Sequence, residues 1–258
     1  MRGERAMKSI VLCDNGKPES ILLLCEKYGF GIEIQGFYNP NETDNRNDIM
    51  AMYKDIVPSG MVKYLHAPFW DLCLGSANKK IVEVTRFYFD YAYEIAEGLG
   101  CLGITVHHGY VPGTSHPPNW IKRSVAFWDD FFNSHPGTIK MFMENQCERN
   151  PETLSGIIDG YPSDRLAVNL DIGHAHCNNP LPVIEWVKQL GSRIGYVHLH
   201  QNHGSEDEHL GLRKGNIPMA EVLNALSECA PDAVWALECG ADDMEESIEF
   251  LCESGLVG

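Results

Sequence analysis

Short apolar runs recur along the chain at 9–13, 31–35, 62–67, 101–107, 138–144, 166–171, 194–200 and 233–238, each rich in β-branched or aliphatic residues. A segment with helical spacing follows every run. The clearest extends roughly from Ala77 to Glu97, with Ser76 as its capping residue, Gly98 and Gly100 closing it, and Ile81, Val84, Phe87, Tyr88, Tyr91 and Ile95 at helical spacing. The other helices are expected to open near Pro18, Asn47, Asn119, Pro151, Pro180, Pro218 and Asp243, where proline or a capping residue marks a first turn. Strict β-then-α alternation, eight times in 258 residues, predicts an α/β fold: one (β/α)₈ TIM barrel domain occupying 1–258.

In such a barrel the chemistry sits on the loops that follow the strands. The longest of these are about 36–46, 68–76, 108–119 and 201–217, and they carry Phe37, Tyr38, Phe69, Trp70, Tyr110 and Trp120. Aromatic side chains here either cap the barrel mouth or wall a bound ring, and Phe69 and Trp70 are the expected substrate contacts.

The runs end in a restricted set of residues. His66, His107, Glu144, Asp171, His198 and Glu238 stand where an apolar run gives way to a loop, and His174, Asp207 and His209 lie shortly after such ends. All nine offer oxygen or imidazole donors, the ligands that divalent cations take. Their spread over six strand ends predicts a metal site assembled at one mouth of the barrel. Asp171 and His174 alone would read as a helix cap followed by an exposed histidine. In Val197-His198-Leu199-His200 the alternation turns His198 and His200 to the same side, so His198 is expected as a ligand and His200 either as a support behind the ligands or as a substrate contact. A carboxylate beside a carbon next to a carbonyl can move a proton while a metal stabilises the enediolate, a role open to Glu144 and Glu238. A carboxylate-bridged cluster of cations would instead activate water against a phosphoester.

Composition narrows these uses. With 36 acidic against 20 basic side chains, the formal charge of −16 disfavours a nucleic-acid partner. Nine cysteines form no CxxC pair, the N-terminus shows no secretory signal, and no stretch approaches the roughly 20 apolar residues of a membrane span, so a cytoplasmic protein without membrane attachment is expected.

The runs His66-Ala67-Pro68-Phe69, Thr105-Val106-His107, Met143-Glu144-Asn145, Leu170-Asp171-Ile172-Gly173-His174, Val197-His198-Leu199-His200, Asp207-Glu208-His209 through Gly215-Asn216-Ile217, and Leu237-Glu238 together resemble the xylose isomerase-like barrel superfamily. The resemblance covers the chain from His66 to Glu238 in order. It implies one of two activities. The sugar isomerase and epimerase branch implies one Mn, Mg or Co ion held by Glu144, Asp171, His198 and Glu238, proton exchange between the two glutamates, and substrate binding by His174. The endonuclease IV branch implies three zinc ions held by all nine donors and action on abasic DNA. Sugar-isomerase relatives read His-Leu-His-Asp-Asn where this chain has His198-Leu199-His200-Gln201-Asn202, and Leu-Gly-Glu-Gly where it has Leu212-Arg213-Lys214-Gly215. Gln201 thus replaces an acid, and Arg213 and Lys214 bring two cations near the site, either to grip a phosphate or as solvated loop residues. A sugar or polyol isomerase or epimerase, dependent on one to three ions of Mn, Mg, Co or Zn, is the expectation, with the phosphoesterase as its alternative. Barrels of this type often pair through their helices, so a homo-oligomer is also anticipated.

Overall fold

A computed structural model describes residues 8–177 and 179–256. The N-terminal stretch read for a targeting signal, residues 1–7, lies outside them. Eight parallel strands close into a barrel in chain order: β1 (Ile10–Cys13), β2 (Gly31–Ile34), β3 (Lys63–His66), β4 (Gly103–His107), β5 (Lys140–Glu144), β6 (Leu166–Asp171), β7 (Ile194–Leu199) and β8 (Val234–Leu237). Around it run α1 (Pro18–Tyr28), α2 (Arg46–Ile56), α3 (Lys79–Leu99), α4 (Pro117–Ser134), α5 (Glu152–Gly160), α6 (Ile172–His176), α7 (Val183–Leu190), α8 (Met219–Cys229) and α9 (Ala241–Glu253). No helix among the described residues is long and apolar enough to cross a membrane.

Alternation along each strand divides the core in two. Outward residues such as Leu12, Ile34, Leu65, Val106, Met143, Leu170, Leu199 and Leu237 are sealed under the helices together with the buried Trp120, Trp128, Trp186 and Trp235. Burial of each such aliphatic side chain contributes about 1.5–3 kcal/mol before entropy is counted. Inward residues form a separate small cluster, Val11, Cys13, Tyr64, Phe142, Tyr196 and Ala236. The rings of Tyr64, Phe142 and Tyr196 lie with centroids 5.0–6.1 Å apart and plug the barrel from within. Gly103 makes room for this plug, since a Cβ there would come within 2.4 Å of the Phe142 ring. Above the plug, most inward positions toward the C-terminal end of the strands are polar, with Cys13 and Ala236 reaching into that layer.

The helices open within three residues of the expected places, with differences that have local causes. α3 starts at Lys79 rather than Ala77, because Asn78 accepts from the Lys80 amide while the Ser76 hydroxyl accepts from the Asn78 amide and holds a preceding turn. Its first turns also face outward: Ile81, Val84 and Phe87 are exposed, and the buried stripe runs instead through Thr85, Phe89, Ala92 and Ala96. The short α6 was not anticipated from the periodicity. It follows β6 directly, capped by Asp171, whose Oδ1 accepts from the His174 amide at 2.7 Å.

Candidate metal centre

Parallel ladders bring the strand ends into register. His107 pairs with Glu144, Glu144 with Asn169, and Asp171 with His198. Asn145 extends the sheet by one further step, its Nδ2 donating to the Asp171 carbonyl and its Oδ1 accepting from the Asp171 amide, both at 2.9 Å. All nine donors named from the sequence fall at this mouth.

At the centre is His198, fully buried. Its Nε2 lies 3.1 and 3.2 Å from the two oxygens of Glu33, which can only accept, so the ring hydrogen sits on Nε2. Nδ1 has no hydrogen-bond partner, yet it faces Glu238 Oε2 at 3.2 Å, Glu144 Oε2 at 3.6 Å and Asp171 Oδ2 at 3.7 Å. Lone pairs crowded around one nitrogen repel unless a cation or a proton sits among them. Donors about 2.0–2.2 Å from a shared ion are themselves separated by about 3–3.6 Å, close to the distances from His198 Nδ1 to each carboxylate. Glu144, Asp171 and His198 lie close enough to share one ion, and His198 and Glu238 belong to a second, overlapping group. The donor set therefore fits a divalent cation.

Three other histidines repeat the arrangement through a main-chain carbonyl. His66 Nδ1 donates to the Ala67 carbonyl at 2.8 Å, His174 Nδ1 to that of Asn145 at 2.9 Å, and His209 Nδ1 to that of Glu238 at 2.9 Å. Each is thereby locked in the tautomer that turns Nε2 toward a carboxylate. His66 Nε2 is 3.5 Å from Glu144 Oε2, and His107 Nε2 is 3.4 Å from Glu144 Oε1. His174 Nε2 and His209 Nε2 lie 3.2 and 2.9 Å from one oxygen, Asp207 Oδ2. Two further donor groups, His66–His107–Glu144 and His174–Asp207–His209, thus flank the central one. His209 is held with φ of +48°, a left-handed backbone that costs a non-glycine residue about 1–2 kcal/mol and is kept here by its place in the cluster.

Without a cation, protons fill the same role. Burial alone would lower the imidazole of His198, but Glu238, Glu33 and Glu144 raise it well above its usual range. Burial opposes His174 and His209 in the same way, and carboxylates outweigh it: Asp171 and Asp207 raise the first, and Asp207 and Glu238 carry the second to about 9. Glu238, pushed up by burial, is pulled down to about 2 by His198 and His209. Cys13 sits beside Glu33, His198 and Glu238, but burial and those carboxylates drive its thiol well up, which keeps it a neutral wall.

The remaining expected residues occupy different ground. His200 is fully buried and donates through Nε2 to Asp171 at 3.0 Å, which orients that carboxylate, while its ring stacks on His209 at 4.2 Å and groups with His209 and Glu238 as a further set of donors. Phe69 lines a cavity of about 270 Å³ with Asn15, Gln35, Tyr38, His66, His209 and Glu238. Its ring stacks on His107 at 4.5 Å and on Tyr38 at 6.2 Å. Trp70, half exposed, stands edge-on to Tyr38 and Phe69 at the rim and lines an adjoining cleft. Arg213 and Lys214 are not part of the mouth cluster: Arg213 pairs with Glu253 at 2.6 Å and Lys214 with Asp243, both acids of α9. Gln201, in place of an acid, pins the long loop by hydrogen bonds to the Leu212 carbonyl and to both backbone groups of Ile217.

Sequence reasoning missed Glu33 and Gln35. Gln35 Nε2 donates to Glu33 Oε1 at 3.1 Å and to Glu238 Oε1 at 2.7 Å, linking the carboxylate behind His198 to the one at the pocket floor. Their signal was the alternation Ile32-Glu33-Ile34-Gln35, a polar inward face on an otherwise apolar strand.

Comparison with known proteins agrees with this geometry. A family model described as a xylose isomerase-like TIM barrel matches residues 23–254. The uncharacterized protein MJ1311 of Methanocaldococcus jannaschii is 32% identical over 189 residues, 67% of this chain and 63% of that protein, so the match spans just under two thirds of that relative's length. Among solved structures, a D-tagatose 3-epimerase-like protein is 25% identical with a TM-score of 0.76, covering 96% of this chain and 97% of that one. The TTHB071 protein of Thermus thermophilus, soaked with zinc chloride, is 20% identical with a TM-score of 0.77 over 95% of this chain and 97% of its own.

Proposed function

We propose, from the premise that this chain belongs to the xylose isomerase-like TIM barrel family, that it is a metal-dependent isomerase or epimerase of a sugar or sugar phosphate. The observation that carries this reading is the position of Glu238: an ionised carboxylate at the floor of the aromatic-walled 270 Å³ cavity and within 3.2 Å of His198 Nδ1 at the centre of the donor cluster. The D-tagatose 3-epimerase-like structure supports the same chemistry. A divalent cation held by Glu144, Asp171, His198 and Glu238 would polarise the carbonyl and hydroxyl oxygens of a bound hydroxy-ketone. Tyr38 and Phe69 hold the ring or chain of the substrate and exclude water from one side. Glu238 then takes the proton from the carbon next to the carbonyl, and the electron pair of that C–H bond moves onto the carbonyl oxygen. Gln35 fixes the other oxygen of Glu238, so the accepting oxygen is the one turned toward the cluster. Returning the proton to the former carbonyl carbon, while the hydroxyl proton of the first carbon passes to the former carbonyl oxygen, gives the isomer. Returning the abstracted proton to the opposite face of the first carbon gives the epimer and requires a second donor, the role assigned to Glu144. That carboxyl is buried among His66, His107, His174 and His198 and does not line the cavity, which makes Glu238 the first group to meet substrate.

The test is solvent exchange. Protein loaded with Mn, Mg or Zn and incubated in heavy water with a panel of ketoses should place one deuteron beside the carbonyl, read by NMR. Glu238→Gln should slow exchange by about 10²–10⁴-fold, the usual contribution of a general base. No exchange with any sugar rejects the reading.

The two flanking groups, His66–His107–Glu144 and His174–Asp207–His209, favour a second reading, hydrolysis of a phosphoester by a carboxylate-bridged cluster. Metal analysis separates the two. About three ions per chain together with incision of an abasic duplex would replace the first reading by the second. One ion per chain without incision removes the second.

A further inference from the structure

A second cleft, of about 540 Å³, borders the donor cluster, lined by residues of the loops after β4 and β5, among them Glu148, and by His174, Cys177 and Asp207. Arg149 stands on its wall. Among the described residues, every other arginine is engaged: Arg46 with Glu94, Arg86 with Asp90 and Asp130, Arg123 with the Gly75 carbonyl, Arg165 with the His135 carbonyl, Arg193 with Asp159 and Arg213 with Glu253. Arg149 makes neither hydrogen bond nor ion pair with any described residue, in a chain where acids outnumber bases by 36 to 20. It is also the only lysine or arginine among the residues lining the three cavities around the mouth.

The segment that carries Arg149 is fixed from below. Asn145 is tied to the Asp171 backbone, the buried Glu148 pairs with the buried His108 and accepts from the Gln146 amide at 2.6 Å, and Asn179 Nδ2 donates to the Glu148 carbonyl at 2.8 Å. An exposed guanidinium on a braced backbone, paired with neither of the cleft carboxylates Glu148 and Asp207, is available to an external anion that reaches into the cleft. A planar fork of donors suits the oxygens of a carboxylate or phosphate.

We propose that the substrate carries an anionic group, phosphate or carboxylate, remote from its reacting carbon, and that Arg149 receives this group in the cleft beside His174 and Asp207. This rests on the reading of the site as acting on a sugar, and it moves the anion contact from Arg213 and Lys214, which pair with acids of α9, to Arg149.

Calorimetric titration of the metal-loaded protein with a neutral ketohexose, its 6-phosphate, the matching 6-carboxylate and inorganic phosphate tests it. The charged sugars should bind at least about tenfold more tightly than the neutral one, about 1.4 kcal/mol. Arg149→Met should remove that advantage and weaken inorganic phosphate at unchanged metal content and urea midpoint, while the neutral sugar binds as before. Arg149→Lys should keep part of the phosphate preference and lose more of the carboxylate preference if the fork matters. Preference for one charged sugar identifies which anion is the source. A wild-type protein that binds no anion more tightly than Arg149→Met does overturns the inference. So does an anion preference that survives the substitution. Deuterium exchange with a neutral ketose and no role for Arg149 would defeat this inference alone. An Arg149-dependent anion preference without exchange would defeat the isomerase reading alone.

Discussion

His198 turns Nδ1 toward three carboxylates because Glu33 accepts the hydrogen on Nε2, so Nδ1 takes either a proton or a cation. That single arrangement explains why protons and metal compete for the site. The sign follows from the shifts. His209, raised to about 9 from its ordinary 6.5, stabilises the metal-free fold below pH 6.5 and loses that contribution as pH rises through 9. Glu238, lowered to about 2 from 4.5, stabilises it above pH 4.5 and loses that contribution as pH falls toward 2. A cation replaces the imidazole protons, so the difference in Tm between metal-loaded and metal-free protein should widen as pH is raised from 6.5 to 9. Scanning calorimetry at several pH values reads this directly, and a pH-independent difference would mean that the imidazoles are not what the metal engages. The nine donors were legible because each stands at or just beyond a strand end. Glu33 was not, because it lies inside a strand and only alternation marks it. Of the two uses left open for Arg213 and Lys214, the surface one fits their pairing with α9, because closeness in sequence to a ligand strand does not survive a loop that runs out to that helix.

At the scale of elements, the ladders set the distances between ligands and α6 seals them. Its second residue, Gly173, has no room for a side chain: a Cβ would lie 1.9 Å from Cε1 of His200, the ring that orients Asp171. Gly173→Ala should therefore cost about 1–3 kcal/mol of stability, the usual range for overpacking, and weaken metal binding as Asp171 loses its support. Urea denaturation and a competitive metal titration measure the two effects, and an unchanged metal affinity would detach His200 from the site. The strands were readable from apolar runs bounded by polar ends. α6 was not, since five residues give no period, and its cap is the same Asp171 that joins the cluster. The opening turns of α3 show the converse: helical spacing was present, and Tyr91 and Ile95 are buried as read, but Ile81, Val84 and Phe87 face outward.

For the whole molecule, an excess of 16 negative charges surrounds a mouth lined with carboxylates. Such a field concentrates cations, so the rate of zinc capture by metal-free protein should fall by about tenfold or more between about 0.01 and 1 M salt, measured by stopped flow with a chromophoric chelator. A salt-independent rate would place capture outside the influence of the net charge. Eightfold alternation was enough to foresee the closed barrel, whereas the division of its interior into an aromatic plug below and donors above depends on register that only folding fixes. The tautomers of His66, His174 and His209 carry one further consequence. Their orientation is dictated by the carbonyls of Ala67, Asn145 and Glu238, groups that every amino acid possesses. Instructions written in the peptide backbone cannot be erased by side-chain replacement, so these three rings can keep their bearing while the sequence around the barrel drifts.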